Sequence, residues 1–464
     1  MERNLEFDLV VVGSGGAGMA AAIEARRAGS TVLVVERGTI GGTCVNIGCV
    51  PSKTLLAAAS TRQAALTNPF PGAPTAAMGV DLGSLVEQKD QLITQLRETK
   101  YADVAEAHGF EVCSGEASFW DPDTLVIDGK PVTTSSIVLA TGAVPARPKD
   151  VTGLGEVKYL TSTTAMELTE LPESMIIIGG GYIGIEQAQL FAGLGVQVTI
   201  VGRIAPTAEP EMTAILRHTL IQEGIRVVQE HATSVAQEHE HIQVRTLSGR
   251  SLQAERLLVA TGRRPSTDYL NLAAAGIATD RDGFIRVDEH QRTTNQKVFA
   301  AGDVTAAPQY VYVAAATGKA AATNAVRIDP RATVAEVDYT GLPAVIFSRP
   351  QLATAGFTEA AARAAGHRCE SRVLSFKDLP RALVNHDTRG AIKMIAETGT
   401  DRILGISIIG DHAAELLLPA TYAITAGMTT RHIADTWAPY LTFSEALRLV
   451  AGTFHNEMPT SCCA

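Results

Sequence analysis

The sequence predicts an α/β protein built around two βαβ units, with a further module toward its C-terminus. Three observations carry that expectation. A glycine-rich turn behind an apolar strand recurs 166 residues later, from Gly13 to Gly179. The chain of 464 residues holds 41 glycines but only 5% aromatics, the balance of a protein rich in tight strand-to-helix turns. No apolar run reaches the roughly 18 residues that span a bilayer. The formal net charge of -10 argues against a nucleic-acid surface. The start, Met1-Glu2-Arg3-Asn4, runs into a strand without a basic and apolar leader, so a cytoplasmic location is expected.

The first unit opens with the apolar run Phe7 to Val12 and the turn Gly13-Ser14-Gly15-Gly16-Ala17-Gly18. An alanine-rich helix, Gly29, a second strand from Thr31 to Val35, and Glu36 follow. Glycines in this pattern permit a tight turn and close backbone approach, and they aim a helix N-terminus at a pyrophosphate. Glu36 stands where an acidic side chain bonds ribose hydroxyls. The second unit repeats the order: strand Met175 to Ile178, turn Gly179-Gly180-Gly181-Tyr182-Ile183-Gly184, Gly195 at the helix end, and strand Val196 to Val201. One such turn is a weak signal; two, each between strand and helix, predict two dinucleotide sites. In the second copy Gly202 replaces the acidic residue and Arg203 follows. A carboxylate there would oppose a 2′-phosphate by ~4 kcal/mol per charge pair at 4 Å and an effective dielectric of 20. Its replacement beside an arginine favours NADPH over NADH.

Between the units lies Gly41-Gly42-Thr43-Cys44-Val45-Asn46-Ile47-Gly48-Cys49-Val50-Pro51-Ser52-Lys53. Its glycines let the backbone press on a flat ligand and fold the two cysteines back on each other. Pro51 suits the first helical position, which places Cys49 at a helix N-terminus beside Lys53. Both features favour a thiolate, which can attack a disulfide, donate charge to a flavin or bind a soft metal. A structural zinc would want four ligands at CxxC or histidine spacing, which the segment lacks. Cys113 and Cys369 stand alone and read as bystanders; Cys462 and Cys463 form a second pair in the tail. His108, His218, His367 and His432 lack ligand spacing and read as surface or capping residues.

The stretch GGTCVNIGCVPSK resembles the active-site signature of the class I flavoprotein disulfide reductases. The likeness covers nearly the whole chain. Val138 to Gly142 and Leu258 to Gly262 are similar to the family's paired ATG strands, and Phe299 to Asp303 resembles its second FAD motif. The resemblance implies two Rossmann-like domains, for FAD and NADPH, plus a C-terminal α+β dimerisation domain. It further implies an FAD segment at 5–150, an NADPH domain at 151–265, a second FAD segment at 266–330 and dimerisation at 335–464. Pro145, Pro148, Pro265 and Pro330 sit near these joints, as breakers do. Leu168 to Leu171, ahead of Pro172, reads as a helix end. Cofactor contacts are expected at Gly13, Gly15, Gly16, Gly18, Glu36, Gly42, Thr43, Lys53, Thr141, Gly142, Gly302 and Asp303. More are expected at Gly179, Gly181, Tyr182, Gly184, Arg203 and Gly262. By the same resemblance Glu186 pairs with Lys53, Cys49 faces the flavin and Cys44 is the interchange thiol.

Disulfide-reducing members carry His-Pro-Thr-x-x-Glu near the C-terminus, with the histidine as proton shuttle. Here the segment reads Pro439-Tyr440-Leu441-Thr442-Phe443-Ser444-Glu445, so tyrosine replaces histidine. A phenol with a pKa near 10 is a poor base at neutral pH. Vicinal cysteines at 462 and 463 suit a soft cation, and cysteine is not fourth from the end, as a prenylation box requires. Together with Pro308 to Ala315 and Pro380 to Leu383, these features resemble the branch of the family that reduces Hg(II). The implied substrate is an Hg(II)–thiol complex, passed from Cys462 and Cys463 to Cys44 and Cys49. Tyr182 and Tyr440 would line the inner site, with Tyr440, Glu445 and the tail coming from the partner of a homodimer. Many relatives have an N-terminal metal-binding module with its own CxxC, which this sequence lacks. Two alternatives stand: a thioredoxin-reductase-like enzyme, and a flavin-binding thiol metal buffer or redox sensor.

Overall fold

The computed structural model describes residues 6–327 and 334–456; Pro330, Cys462 and Cys463 lie outside them. The first unit is a seven-stranded sheet. Glu6–Val12 lies between parallel neighbours Val32–Glu36 and Lys130–Leu139, and Val298–Ala300 adds a further parallel strand beside Lys130–Leu139. Leu9, Val10 and Val11 are wholly buried, because helices and loops cover both faces of a parallel sheet and leave no polar side to alternate with. Helices Gly16–Arg27 and Val311–Ala325 pack together on one face. A cross-strand ladder of Ala117–Phe119 and Leu125–Ile127 extends the sheet in antiparallel fashion.

The second unit has four parallel strands, in the order Arg226–Val228, Gln197–Val201, Ser174–Ile178, Arg256–Val259. A three-stranded antiparallel sheet over residues 232–254 is joined to it. The two glycine turns are held by the same steric device. A Cβ on Gly13 would overlap the Ala140 carbonyl, and one on Gly179 the Ala260 carbonyl. A Cβ on Gly18 would strike the carbonyl of Gly13, and one on Gly184 that of Gly179. Gly18 and Gly184 therefore let each helix sit close on its strand.

The third unit is a five-stranded antiparallel sheet, ordered Pro343–Ile346, Gln351–Gly356, Ile403–Gly410, Ala391–Glu397, Cys369–Ser375. Helices Ala413–Thr425 and Glu445–Gly452 bury their apolar faces against it. The fold is thus α/β with an α+β C-terminal unit. A buried lysine joins the second and third units: Lys393 lies 2.9 Å from Glu209, 3.0 Å from Glu211 and 2.9 Å from Glu359.

Two local expectations need correction. The helix holding the dithiol spans Cys49–Leu66, so Pro51 is its third residue and not its first. All first-turn N–H groups lack an intrahelical acceptor, so a proline fits there equally well. Leu168 to Leu171 is not a helix end, because the helix before it, Ser162–Ala165, has already stopped and the chain bends. Among the described residues no helix is long and apolar enough to cross a membrane.

Candidate active site

A cleft of about 850 Å3 runs from the first glycine turn past both cysteines to the start of the second unit's helix. Such a volume lies at the upper end for small-molecule sites. At one end Gly13, Ser14, Gly15 and Gly16 form the floor, with Glu36 beside them. The Glu36 carboxylate accepts from the Ser14 N–H at 3.0 Å, the Ser14 hydroxyl at 2.6 Å and the Gly38 N–H at 2.7 Å. Thr141, Gly142, Gly302 and Asp303 line the middle.

The dithiol segment meets this floor because two glycines adopt left-handed backbone, Gly41 at φ 105° and Gly42 at φ 63°. A Cβ on Gly42 would lie 2.6 Å from the Cα of Gly15, so only hydrogen allows the contact. Cys44 sits on the short helix Gly42–Asn46 and Cys49 begins the next helix. Both are free thiols. Their sulfurs are hydrogen-bonded and titrate unequally. The Cys44 hydrogen bond, helped by the Lys53 ammonium against the pull of burial, lowers Cys49 from 9.0 to about 7. The same bond and burial push Cys44 well above its ordinary value. Cys49 is the thiolate of the pair and Cys44 its proton donor.

Lys53 Nζ donates to Glu186 Oε2 at 2.6 Å, across 133 residues of sequence. Glu186 is almost wholly buried, and its other oxygen accepts the Phe347 N–H at 3.0 Å. The Lys53 ammonium also lies 4.7 Å from the centre of the Phe347 ring. Further along the same helix, Gln189 bonds both backbone groups of Arg349, accepting its N–H at 2.7 Å and donating to its carbonyl at 2.8 Å. The loop 347–350 thus grips the helix Tyr182–Leu194 at two places.

Of the expected site residues, the cleft gathers Cys44, Cys49, Thr43, Lys53, Tyr182 and Glu186 together with the first-unit set except Gly18. Gly179, Gly181, Gly184, Arg203 and Gly262 are not on its wall. Gly179 and Gly181 lie in the adjoining second turn, where Gly181 faces open space, and Gly184 lies in the helix that follows. Arg203 is exposed, and a Cβ on Gly180 would overlap its carbonyl. Tyr440 and Glu445 belong to the C-terminal unit and do not reach the cleft of their own chain. Cys462 and Cys463 lie outside the described residues.

Several residues in and beside the cleft were not anticipated, Tyr101 being outside its wall. Tyr101, on the π-helical turn Glu98–Ala102, is raised above the ordinary phenol value by burial and then by the charges of Cys44 and Cys49. Tyr182 faces Tyr310 at 6.3 Å, and Tyr310 stacks on Tyr312 at 5.3 Å. Arg263 and Asp303 are a half-buried pair 3.8 Å apart. Burial lowers the guanidinium and raises the carboxyl, and each charge partly offsets this in the other. The histidines hold local contacts, His367 with Glu397 at 2.9 Å and His432 in the capping box of Thr429. Among the described residues no three His, Cys, Asp or Glu side chains gather as a metal cage.

The profile of the family Pyridine nucleotide-disulphide oxidoreductase matches residues 7–318, and that of its dimerisation domain matches 342–451. The chain belongs to this family. This oxidoreductase is 45% identical over 478 aligned residues to a mercuric reductase of Streptomyces lividans, with all of both chains covered. A mercuric reductase of Staphylococcus aureus is 41% identical over 471 residues, covering all of this chain and 85% of its own. Among solved structures, the HOCl-induced flavoprotein disulfide reductase RclA from Escherichia coli gives a TM-score of 0.85 at 28% identity. That likeness covers 96% of this chain and 99% of RclA. The oxidoreductase is FAD-dependent, draws on NAD(P)H, and carries the family's dimerisation domain.

The residues present fit FAD. The glycine turn would present a helix N-terminus to a pyrophosphate, Glu36 would stand at the ribose end, and the cleft between the turn and the dithiol is large enough for a flat ring system. Gln187 Oε1 and Arg263 Nε, both in the cleft wall, are buried without a hydrogen-bond partner, as groups awaiting a polar ligand are.

Proposed function

We propose that this enzyme reduces thiol-bound Hg(II) to Hg(0) with electrons from NADPH. The observation that supports this best is a pair of free thiols, Cys44 and Cys49, on the wall of a flavin-sized cleft, with Lys53 favouring a thiolate at Cys49. That dithiol sits in a chain alike throughout its length to mercuric reductases. FAD bound in the cleft supplies a two-electron relay between the nicotinamide and the metal held by sulfur.

The chain's own residues handle ligand exchange and charge. Cys462 and Cys463 take Hg(II) from two external thiolates, and two sulfur–mercury bonds form as two break. Cys49 then attacks and one tail sulfur leaves as a thiolate; Cys44 passes its proton to that thiolate and follows, and the second tail sulfur leaves as a thiolate. Two electrons turn the bound cation into the neutral atom, both sulfur–mercury bonds break, and the dithiol is restored without net oxidation. Thiolate suits a soft divalent ion, and a neutral atom no longer holds it. Lys53, fixed by Glu186, stabilises negative charge at Cys49 and at the ring system beside it. Tyr182 with Tyr310 closes the nicotinamide side. Arg203 would face the 2′-phosphate of NADPH. Tyr440 acts on the partner subunit's cleft, where a phenol in place of an imidazole serves metal release and not thiol protonation.

With this reading go the division into 5–150 and 266–330 for FAD, 151–265 for NADPH and 335–464 for dimerisation, and action in the cytoplasm. The test follows NADPH absorbance with Hg(II) in excess thiol, with thioredoxin, or with no acceptor. Oxidation that requires Hg(II) supports the proposal. Turnover on thioredoxin alone, or none on either acceptor, rejects it.

A further inference from the structure

We infer that Glu445 is a positioning residue that locks the loop presenting Tyr440, and that its carboxylate takes no part in proton transfer. The inference rests on the proposed role of Tyr440 at the partner subunit's metal site. The loop 439–444 contains a non-glycine residue in left-handed backbone, Leu441 at φ 61°. A leucine adopts that conformation only where its surroundings impose it. Here the Leu441 N–H donates to Glu445 Oε2 at 2.9 Å.

The anchor is rigid. Glu445 is 5% exposed and begins the helix Glu445–Gly452, whose residues Ala446, Leu447, Val450 and Ala451 are buried in the C-terminal core. The helix that begins at Glu445 thus fixes the acceptor in place. The loop is cross-braced by the Thr442 hydroxyl, which donates to the Pro439 carbonyl at 2.8 Å and lies 2.7 Å from the Ser444 hydroxyl. Tyr440, just before the left-handed residue, is 54% exposed. An acid–base role would need the Glu445 carboxylate to reach the phenol or the substrate. The Glu445 carboxylate is instead engaged by the backbone of the loop, through the Leu441 N–H.

An amide oxygen accepts from an N–H as a carboxylate does, whereas an aspartate keeps the charge but falls one methylene short. Glu445→Gln should therefore keep Hg(II)-dependent turnover, and Glu445→Asp and Glu445→Ala should lose roughly tenfold in kcat/KM, the scale of one hydrogen bond to a charged group. All three should keep the rate of flavin reduction by NADPH. Amide hydrogen exchange at Leu441 supplies the readout that needs no activity: protection in wild type and Glu445→Gln, loss in the other two. Equal loss of turnover in Glu445→Gln and Glu445→Ala means the charge or its proton matters, and overturns the inference. So does unchanged exchange at Leu441 in Glu445→Asp. A wild-type enzyme silent toward Hg(II) sinks the proposed substrate instead, and the exchange data still decide the loop.

Discussion

At the scale of single residues, the two sulfurs of the dithiol are chemically distinct before any ligand arrives. The Cys44 hydrogen bond is the main cause of the lowered Cys49 value, burial opposes it, and Lys53 assists. An acid whose value is lowered is anionic at every pH above that value, so Cys49 should react as thiolate from about pH 7 upward. Alkylation of the reduced enzyme by iodoacetamide should thus be half-maximal near about 7. Removing a stabiliser of the anion raises the value, so Cys44→Ala and Lys53→Met should both move that midpoint to higher pH. A midpoint fixed in both variants would refute this account. Cys49→Ser should abolish both Hg(II) reduction and the long-wavelength absorbance that a thiolate gives beside a flavin. The dithiol was legible in the sequence because its partners are five residues apart. Tyr101 was not, since its charge coupling to the sulfurs arises only through the fold, from a π-helical turn some fifty residues away.

At the scale of elements, the contact of Gly42 on Gly15 couples the dithiol segment to the first glycine turn. Gly42→Ala adds a left-handed backbone cost of ~1–2 kcal/mol to a Cβ with no room. The variant should purify with flavin-to-protein absorbance well below one per chain; full flavin occupancy would show the contact to be dispensable. Lys393 is 2% exposed and Glu209 as little, so Lys393→Met would strand a buried carboxylate. Loss of one partner of a buried pair costs about 3–5 kcal/mol, which urea unfolding of the apoprotein should register. The strands of both units were readable because parallel strands buried on two faces are unbroken apolar runs. The Lys393 cluster and the grip of Gln189 on Arg349 were not, because each joins residues more than 150 positions apart and neither has local periodicity.

At the scale of the whole molecule, the chain carries a dimerisation domain, and Tyr440 is not on the cleft wall of its own chain, so the proposed function requires the homodimer as the working unit. Subunit mixing tests this. A dimer of one Cys49→Ser protomer and one Tyr440→Phe protomer should recover about half the wild-type turnover, since one intact cleft then faces one intact phenol. Recovery no better than the Tyr440→Phe homodimer would place the tyrosine in its own chain's site. Replacing both Cys462 and Cys463 with alanine should cripple turnover with thiol-complexed Hg(II) while leaving flavin reduction by NADPH near normal; equal loss of both would end the delivery role. The helix Tyr182–Leu194 is enclosed on nearly every side: its first residue borders the cleft, Glu186 holds the lysine, and Gln189 fastens the C-terminal hairpin. Re-engineering of coenzyme preference should therefore leave this rod alone and begin at Arg203, which stands in solvent just beyond the adjoining strand.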